Sequence, residues 1–221
     1  QLLPSRVVLA TDGSGGPFSS EPRLRRCGWA FVAMDIDGDI VAKGWGPLEG
    51  WRQTVPLSEL EASTQPASCI QGDLQLHVDA SYVVRVVRRG PAHRHQYHDH
   101  QWKRFWAAVG ERAVVALKIK AHQTLEEARA AGVDDLQWQA NQAADALAEQ
   151  AAMAAQLPPD AIATVARLDE EALHVQQHLV AVAMTVAKQA PQLYGPSSRF
   201  QRRADAAHRA REKAAEVAEE L

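Results

Sequence analysis

The stretch VVLATDGSGG, residues Val7 to Gly16, decides the fold that the sequence predicts. Its apolar and β-branched residues from Val7 to Thr11 are typical of a buried strand, and Asp12 follows directly before a glycine-rich turn. An ordinary turn would by itself explain an Asp-Gly pair. A functional role for Asp12 therefore depends on partner residues elsewhere in the chain.

The composition is typical of a soluble globular protein. The chain has 221 residues, 46% of them hydrophobic, and a formal net charge of −3, so nucleic-acid binding requires a local basic patch. Cys27 and Cys69 are too few for a disulfide framework and lack zinc-ligand spacing. The sequence has no leader and no run long enough to span a bilayer, which predicts an intracellular protein of the nucleus or cytoplasm that is not secreted. The start at Gln1 indicates a piece of a longer polypeptide.

The order of the predicted elements indicates a mixed sheet covered by helices. Strands at 7–11, 27–35 and 39–46 form an antiparallel meander, and further strands follow at 74–78 and 113–120. Predicted helices occupy 55–65, 80–90, 99–110, a short segment at 125–131, and an alanine-rich segment at 138–156. Strands followed by alternating helices and strands are typical of an α/β domain.

Four carboxylates fall where these elements would bring them together. Asp12 and Asp79 each follow a strand, and neighbouring parallel strands present their ends at one edge of a sheet. Asp145 lies early in the last of these helices, and one of Glu59 and Glu61 can face the same place from the first helix. Clustered carboxylates repel one another, and hard oxygen ligands favour Mg²⁺ or Mn²⁺ over zinc. Two such ions would support phosphodiester hydrolysis.

Five motifs, in order, resemble those of type 1 ribonuclease H, including the domains attached to reverse transcriptases. They are TDGS after the first strand, LSEL in the first helix, VDASYV after the fourth strand, IKAHQT after the fifth, and NQAADALA in the alanine-rich helix. The resemblance implies an α/β, ribonuclease H-like fold with a five-stranded mixed sheet flanked by helices. The sequence thus predicts a ribonuclease H-like nuclease domain over 5–154 and a helical C-terminal extension over 155–221.

The resemblance also implies the site. Asp12, Glu59, Asp79 and Asp145 match the family's catalytic acids, which hold two Mg²⁺ ions, with Mn²⁺ able to substitute. Glu59 is preferred to Glu61 because it directly precedes a leucine, as the family's glutamate does. The implied reaction hydrolyses the RNA strand of an RNA–DNA hybrid, leaving a 3′-hydroxyl and a 5′-phosphate.

Two further residues have alternative interpretations. His122 matches the family's mobile catalytic histidine, which helps to move protons or release product, and is otherwise a solvated loop residue. Asn141 lies one helical turn before Asp145, where it either orients a carboxylate or a nucleic-acid phosphate or is a polar surface residue.

The chain departs from the family where a hybrid's minor groove would be contacted. Relatives commonly have asparagines before the helix glutamate and a polar residue after the third acid, whereas this chain has 54-TVP-56 and Ala80. Ser14, Ser58 and Ser81 are candidates to compensate. Two alternatives therefore stay open, a related nuclease acting on another nucleic acid and a catalytically inactive nucleic-acid-binding scaffold.

A basic segment matches the place where some relatives have a projection that contacts the hybrid backbone. The predicted phosphate-binding side chains are Arg85, Arg88, Arg89, Arg94, Lys103 and Arg104. Trp102 and Trp106, four residues apart, are predicted to face the core. An upstream reverse transcriptase domain of a retroelement polyprotein is the second partner that the resemblance implies.

The composition changes after the prolines at 158 and 159. Large apolar residues recur at helical spacing from Ile162 to Val186, and a second helix rich in Ala, Arg and Glu is predicted over 199–221. The segment lacks sustained heptads, which argues against a coiled coil. Packing on the nuclease domain, self-association and membership of a larger polyprotein all stay open for this segment.

Overall fold

The computed structural model describes residues 7–92, 99–194 and 202–210. The chain divides into two compact units, Gln1–Pro158 and Pro159–Leu221. The first unit contains every strand of the described residues, and the second consists of helix in its described part.

The first unit is built on a five-stranded mixed sheet. Its strands are β1 (Val7–Ser14), β2 (Gly28–Asp35), β3 (Ile40–Pro47), β4 (Leu74–Val78) and β5 (Val114–Lys118). They lie in the order β3-β2-β1-β4-β5, with the first three antiparallel and β1, β4 and β5 mutually parallel. The predicted mixed sheet is confirmed, and the bounds of β4 match the prediction at both ends.

The helices follow the predicted order with two changes of length. They are α1 (Val55–Cys69), α2 (Ser81–Arg89), α3 (Asp99–Val109), α4 (Leu125–Ala130), α5 (Asp135–Ala154) and, in the second unit, α6 (Pro159–Tyr194). The first helix continues to Cys69, past the predicted end at 65, and its last turns contribute Ala67 to the buried cluster that contains Leu9 and Leu76 of the sheet. The fifth begins at Asp135 because Asp134 is its N-cap, with Oδ1 accepting a hydrogen bond from the Leu136 N–H at 2.9 Å.

The sheet has a different helix layer on each face. On one face, Leu9, Leu76 and other strand residues pack against α1, α2 and α3 in the larger cluster of buried residues. On the other face, Ala10, Val32 and Met34 pack against Ala140 and Ala144 of α5, whose small side chains permit a close approach to the sheet.

The two tryptophans of α3 face the core, as predicted. Trp102 is buried and lies edge-to-face with Phe105 at 5.6 Å between ring centroids, while Trp106 is partly buried and packs against the same core. Edge-to-face pairs of this kind add stability beyond the area that they bury.

The first strand differs from its predicted end. It does not stop at Asp12 but continues to Ser14, which pairs with Gly28 of β2. The glycine at position 13 does not act as a turn residue. A Cβ on Gly13 would clash with the backbone at Ser58 and Glu59, so the glycine instead permits α1 to begin directly against β1.

The second unit is helical where it is described. It contains α6 and a helical segment at 202–210, while the rest of the helix predicted over 199–221 lies outside the described residues. Within the described part of the chain, no helix has the length and apolar character needed to cross a membrane.

Candidate active site

Three acidic side chains meet at the carboxyl end of the parallel strands. Thr11 of β1 pairs with Val78 of β4, so Asp12 and Asp79 follow paired residues and emerge side by side. Glu59, in the first turns of α1, is brought beside them by the close approach at Gly13. One carboxylate oxygen from each of Asp12, Glu59 and Asp79 lies within 4.8 Å of the others. We call these three residues the acidic triad.

The triad is largely withdrawn from solvent. Asp12 and Glu59 are each 6% exposed. Burial raises the pKa of Asp12 to about 8, with the neighbouring charges of Asp79 and Asp145 adding to the effect. Burial, followed by the charges of Asp12 and Asp79, also raises the pKa of Glu59 well above its ordinary value. Three ionised carboxylates are therefore unfavourable here without a compensating cation.

The residues present fit a hard divalent cation. Every donor of the triad is a carboxylate oxygen, which is the ligand type that Mg²⁺, Mn²⁺ and Ca²⁺ prefer. Oε2 of Glu59 is buried and has no hydrogen-bond partner among the described residues. A buried carboxylate oxygen without a donor is costly unless an ion satisfies it.

The fourth predicted acid lies at the exposed edge of the triad. Asp145 of α5 lies close enough to Asp12 that its negative charge helps to raise the pKa of the Asp12 carboxyl. Its Oδ2 lies 3.9 Å from Nδ1 of His122, whose side chain is 80% exposed. His122 has a φ of 50°, in the left-handed region that a non-glycine residue seldom adopts.

Asn141 is not a polar surface residue, which was one of its two interpretations. It is buried, and its Oδ1 has no hydrogen-bond partner among the described residues. It lies one turn before Asp145 on α5. A buried and unsatisfied amide in this place is compatible with the orienting role.

Two side chains near the site were not found from the sequence. Gln123 is buried beside His122 in the chain, and its backbone oxygen accepts a hydrogen bond from Trp138 Nε1 at 2.9 Å, which fastens the histidine loop to α5. Lys118, at the end of β5, donates from Nζ to the backbone oxygen of Asp79. The signal for Lys118 depends on the pairing of β4 with β5, because that pairing brings the end of β5 beside Asp79.

The serines proposed to compensate for missing groove contacts differ in exposure. Ser58 is fully buried, and its hydroxyl donates to the Val55 carbonyl at 2.9 Å, so it is unavailable to a substrate. The Ser14 hydroxyl accepts from the Gly16 N–H at 3.1 Å, whereas Ser81 is exposed at the start of α2. Of these three serines, Ser81 is the one on the surface.

The predicted phosphate-binding residues fall into two groups. Arg85, Arg88 and Arg89 lie exposed on the outer side of α2, opposite its buried valines; we call them the arginine face. Lys103 instead forms an ion pair with Asp99 at 2.7 Å, and Arg104 holds both oxygens of Glu61 at 2.7 and 2.8 Å. Arg94 lies outside the described residues.

The bidentate pair explains the role of Glu61. Its carboxylate is directed to Arg104 on α3, a contact between two helices, and away from the triad. Glu59, the glutamate preferred from the sequence, is the one that lies in the triad.

The fold and the triad define an α/β protein with a cluster of carboxylates, able to hold a divalent cation, at one edge of its sheet. No protein-family model and no curated protein match the chain. Among solved structures, the solution structure of the PFV RNase H domain is similar with a TM-score of 0.50 at 16% identity, covering 67% of this chain and 95% of that chain. The chain therefore has the ribonuclease H fold.

Two other similar structures have lower TM-scores. LC11-RNase H1 in complex with an RNA/DNA hybrid gives 0.48 at 15% identity, covering 68% of this chain and 99% of that chain. RNase H1 from the halophilic archaeon Halobacterium salinarum gives 0.46 at 21% identity, covering 66% and 97%.

Gly13→Ala is expected to impair the site without touching an acidic residue. The added methyl group would meet the Ser58 carbonyl carbon at 2.7 Å, so α1 must move away from β1 and take Glu59 with it. We expect weaker divalent-cation binding, measured by calorimetric titration, together with a lower cleavage rate. Gly46→Ala, on β3, is a suitable control because its backbone is not in the left-handed region and the added methyl group would meet only the Trp29 side chain, at 3.3 Å. Unchanged cation affinity in Gly13→Ala would contradict the close-approach argument.

Proposed function

We propose that this chain is a metal-dependent endoribonuclease that hydrolyses the RNA strand of RNA–DNA hybrids. The observation that carries the proposal is the acidic triad, with its oxygens within 4.8 Å of one another, on a ribonuclease H fold. The five motifs that resemble type 1 ribonuclease H support the same substrate, because each supplies a residue at or beside this site.

The proposed cofactor is a pair of Mg²⁺ ions, with Mn²⁺ able to substitute. Asp12, Glu59, Asp79 and Asp145 would hold them. When bound, such a pair activates a water molecule and stabilises the leaving oxygen of a phosphodiester. The raised pKa of Asp12, about 8, means that cation binding and proton release at this carboxylate are coupled.

The chain's own residues have separable roles in this proposal. Asp12 and Glu59 lie on the buried side of the site, while Asp145 and His122 lie on the side that is exposed to solvent. The exposed imidazole of His122 can carry a proton between the site and solvent. Asn141, one turn from Asp145, orients the carboxylate or a substrate phosphate.

Substrate binding is assigned to the arginine face and the surface around Ser81. Arg85, Arg88 and Arg89 project from α2, which begins two residues after Asp79. Contacts from arginines to phosphates position a duplex without reading its sequence. The resemblance to domains attached to reverse transcriptases leads us to propose an origin in a retroelement polyprotein, an upstream reverse transcriptase as partner, and action in the nucleus or cytoplasm.

The second candidate function is cleavage of a different nucleic acid on the same site. It is favoured by the absence from the sequence of the family's groove asparagines at 54–56 and by the burial of Ser58. A third candidate, an inactive binding scaffold, is disfavoured because the triad retains three carboxylates within ligand distance of one another.

Cleavage of a panel of substrates tests the proposal. The full chain is incubated with an end-labelled RNA–DNA hybrid, duplex RNA, duplex DNA and single strands, in Mg²⁺ and in Mn²⁺. We expect cleavage of the hybrid alone, lost in Glu59→Gln and retained in Glu61→Gln, its neighbour outside the triad. Equal cleavage of another duplex would favour the second candidate, and no cleavage by folded, cation-binding protein would favour the scaffold.

Replacing Arg85, Arg88 and Arg89 together by Gln is expected to weaken hybrid binding without loss of the metal site. Each phosphate contact contributes roughly one unit to the slope of log affinity against log salt concentration, so the slope should fall by up to about three. Fluorescence anisotropy with a labelled hybrid in Ca²⁺ measures binding at several salt concentrations. Lys43→Gln is the control variant, because it removes a single cation on β3 that lies over the ring of Trp45. An unchanged slope would remove the arginine face from the substrate-binding surface.

A further inference from the structure

The helix α6 carries an exposed apolar stripe that the proposed function does not use. Leu168, Val175, Leu179 and Val182 are between 47% and 60% exposed, and Val186 is 42% exposed. Single exposed apolar residues are ordinary on a protein surface, but a continuous row along one helix marks an interaction surface.

The stripe has the period of a coiled coil. Reading along α6, apolar residues alternate at spacings of four and three, which gives a 3.5-residue repeat. The a positions are Val165, Ala172, Leu179 and Val186, and the d positions are Ala161, Leu168, Val175 and Val182. Two of these eight positions are alanine, so the repeat is not visible when only the large apolar residues are considered.

The repeat matches a second copy of itself when the two helices run in opposite directions. In antiparallel coiled coils an a residue of one helix faces a d residue of the other. One alignment places every seam residue in such a layer: Ala161 with Val186, Val165 with Val182, Leu168 with Leu179, and Ala172 with Val175. Every layer pairs an apolar side chain with an apolar one.

The charges of α6 favour the same direction. Its first part contains Asp160, Asp169, Glu170 and Glu171 against one base, Arg167, which is already paired to Glu171 at 2.6 Å. Residues 172–188 contain His174, His178 and Lys188 and no acidic residue. An antiparallel partner sets the acidic part against the basic part, and Glu171 flanks the seam beside His178 of the second copy. A parallel partner would set like charges together.

We propose that α6 forms an antiparallel two-stranded coiled coil with α6 of a second copy, making the protein a homodimer. The paired segment, from 161 to 186, is about 38 Å long at 1.5 Å per residue. The N-terminal ends of the two helices, at Pro159, then lie at opposite ends of that segment. This inference goes beyond the proposed function and does not depend on it.

The mass of the full chain in solution tests the pairing. Size-exclusion chromatography with light scattering should give twice the monomer mass of 24.2 kDa. Leu168→Glu combined with Leu179→Glu places two facing glutamates in each of two symmetry-related seam layers and should give the monomer. Met184→Glu, at a 56% exposed position away from the seam, is the matched control and should remain dimeric. A monomeric or higher-order wild-type protein, or a dimeric double variant, would overturn the proposal.

Disulfide trapping tests the direction and stays informative if the glutamate variants are unstable. In a background with Cys69→Ser, which removes the exposed cysteine, one chain carries Leu168→Cys and a differently tagged chain carries Leu179→Cys. The antiparallel arrangement predicts that mild oxidation gives the mixed disulfide from the pair and little homodimer from either chain alone. Homodimer from each chain alone would establish a parallel arrangement and overturn the proposal.

Discussion

Asp12→Asn is expected to lower the rate of hybrid cleavage by about three orders of magnitude or more. The charges of Asp79 and Asp145 act on Asp12, and the charge of Asp12 acts on Glu59, so the loss of Asp12 removes a ligand from the middle of the acidic cluster. A metal site contributes several kcal/mol to transition-state stabilisation, and each 1.36 kcal/mol corresponds to a factor of about ten. Single-turnover cleavage of an end-labelled hybrid in Mg²⁺ measures the effect.

The control for this variant is Asp135→Asn. Asp135 is an exposed carboxylate on α5, ten residues before Asp145, and pairs with Arg129 outside the site. Its loss should leave the cleavage rate within about twofold of wild type, because an exposed ion pair contributes little to stability. A rate for Asp12→Asn within tenfold of wild type would contradict the assignment of Asp12 as a metal ligand.

The second large effect concerns the stability of the metal-free protein as the pH rises. The folded-state pKa of Asp12 is raised from 3.8 to about 8, and that of Glu59 is raised as well. A carboxyl whose pKa is raised by folding contributes its full stabilising free energy below about pH 4, where it is protonated in both states. This contribution is lost as the pH rises toward 8, because the carboxyl ionises more easily in the unfolded chain. The free energy of unfolding in EDTA should therefore fall across this range, by up to roughly 5 kcal/mol from Asp12 alone.

Mg²⁺ should offset part of this loss. A cation present at a hundredfold excess over its dissociation constant adds about 2.7 kcal/mol, or roughly 5 to 10 °C in Tm for a domain of this size. Because the ion binds ionised carboxylates, the increment should grow from pH 5 to pH 8. Thermal unfolding followed by circular dichroism, with and without Mg²⁺, measures both trends.

Asp12→Asn separates this explanation from a general pH effect. The amide carries no charge, so the metal-free variant should be more stable than wild type at pH 8 and should show a weaker dependence on pH. If the free energy of unfolding is independent of pH in both proteins, ionisation of the triad does not destabilise the metal-free fold.

The sequence predicted the sheet and the triad well because both depend on local patterns. Alternating or continuous apolar runs set the strands, and Asp12 and Asp79 lie next to those runs in the chain. Helix geometry predicted that only one of Glu59 and Glu61 could face the site, and the resemblance selected Glu59 because it directly precedes a leucine. The structure places Glu59 in the triad.

What the sequence did not predict depends on contacts between distant segments. Glu61 and Arg104 are 43 positions apart, and nothing local reveals that the arginine is directed to a carboxylate. The burial of Ser58 and the continuation of β1 through Gly13 come from one close approach of α1 to β1. Lys118 reaches Asp79 because β4 and β5 are parallel neighbours in the sheet, a relation that the chain order alone does not supply.

The most direct test of the central claim follows both strands of one RNA–DNA hybrid in the same reaction. The RNA and the DNA carry different end labels, and the full chain is added with Mg²⁺. The account predicts that RNA is cut into fragments with 3′-hydroxyl ends while the DNA strand stays intact, and that EDTA stops the reaction. Cleavage of the DNA strand, or an intact hybrid in the presence of folded protein with bound Mg²⁺, would contradict it.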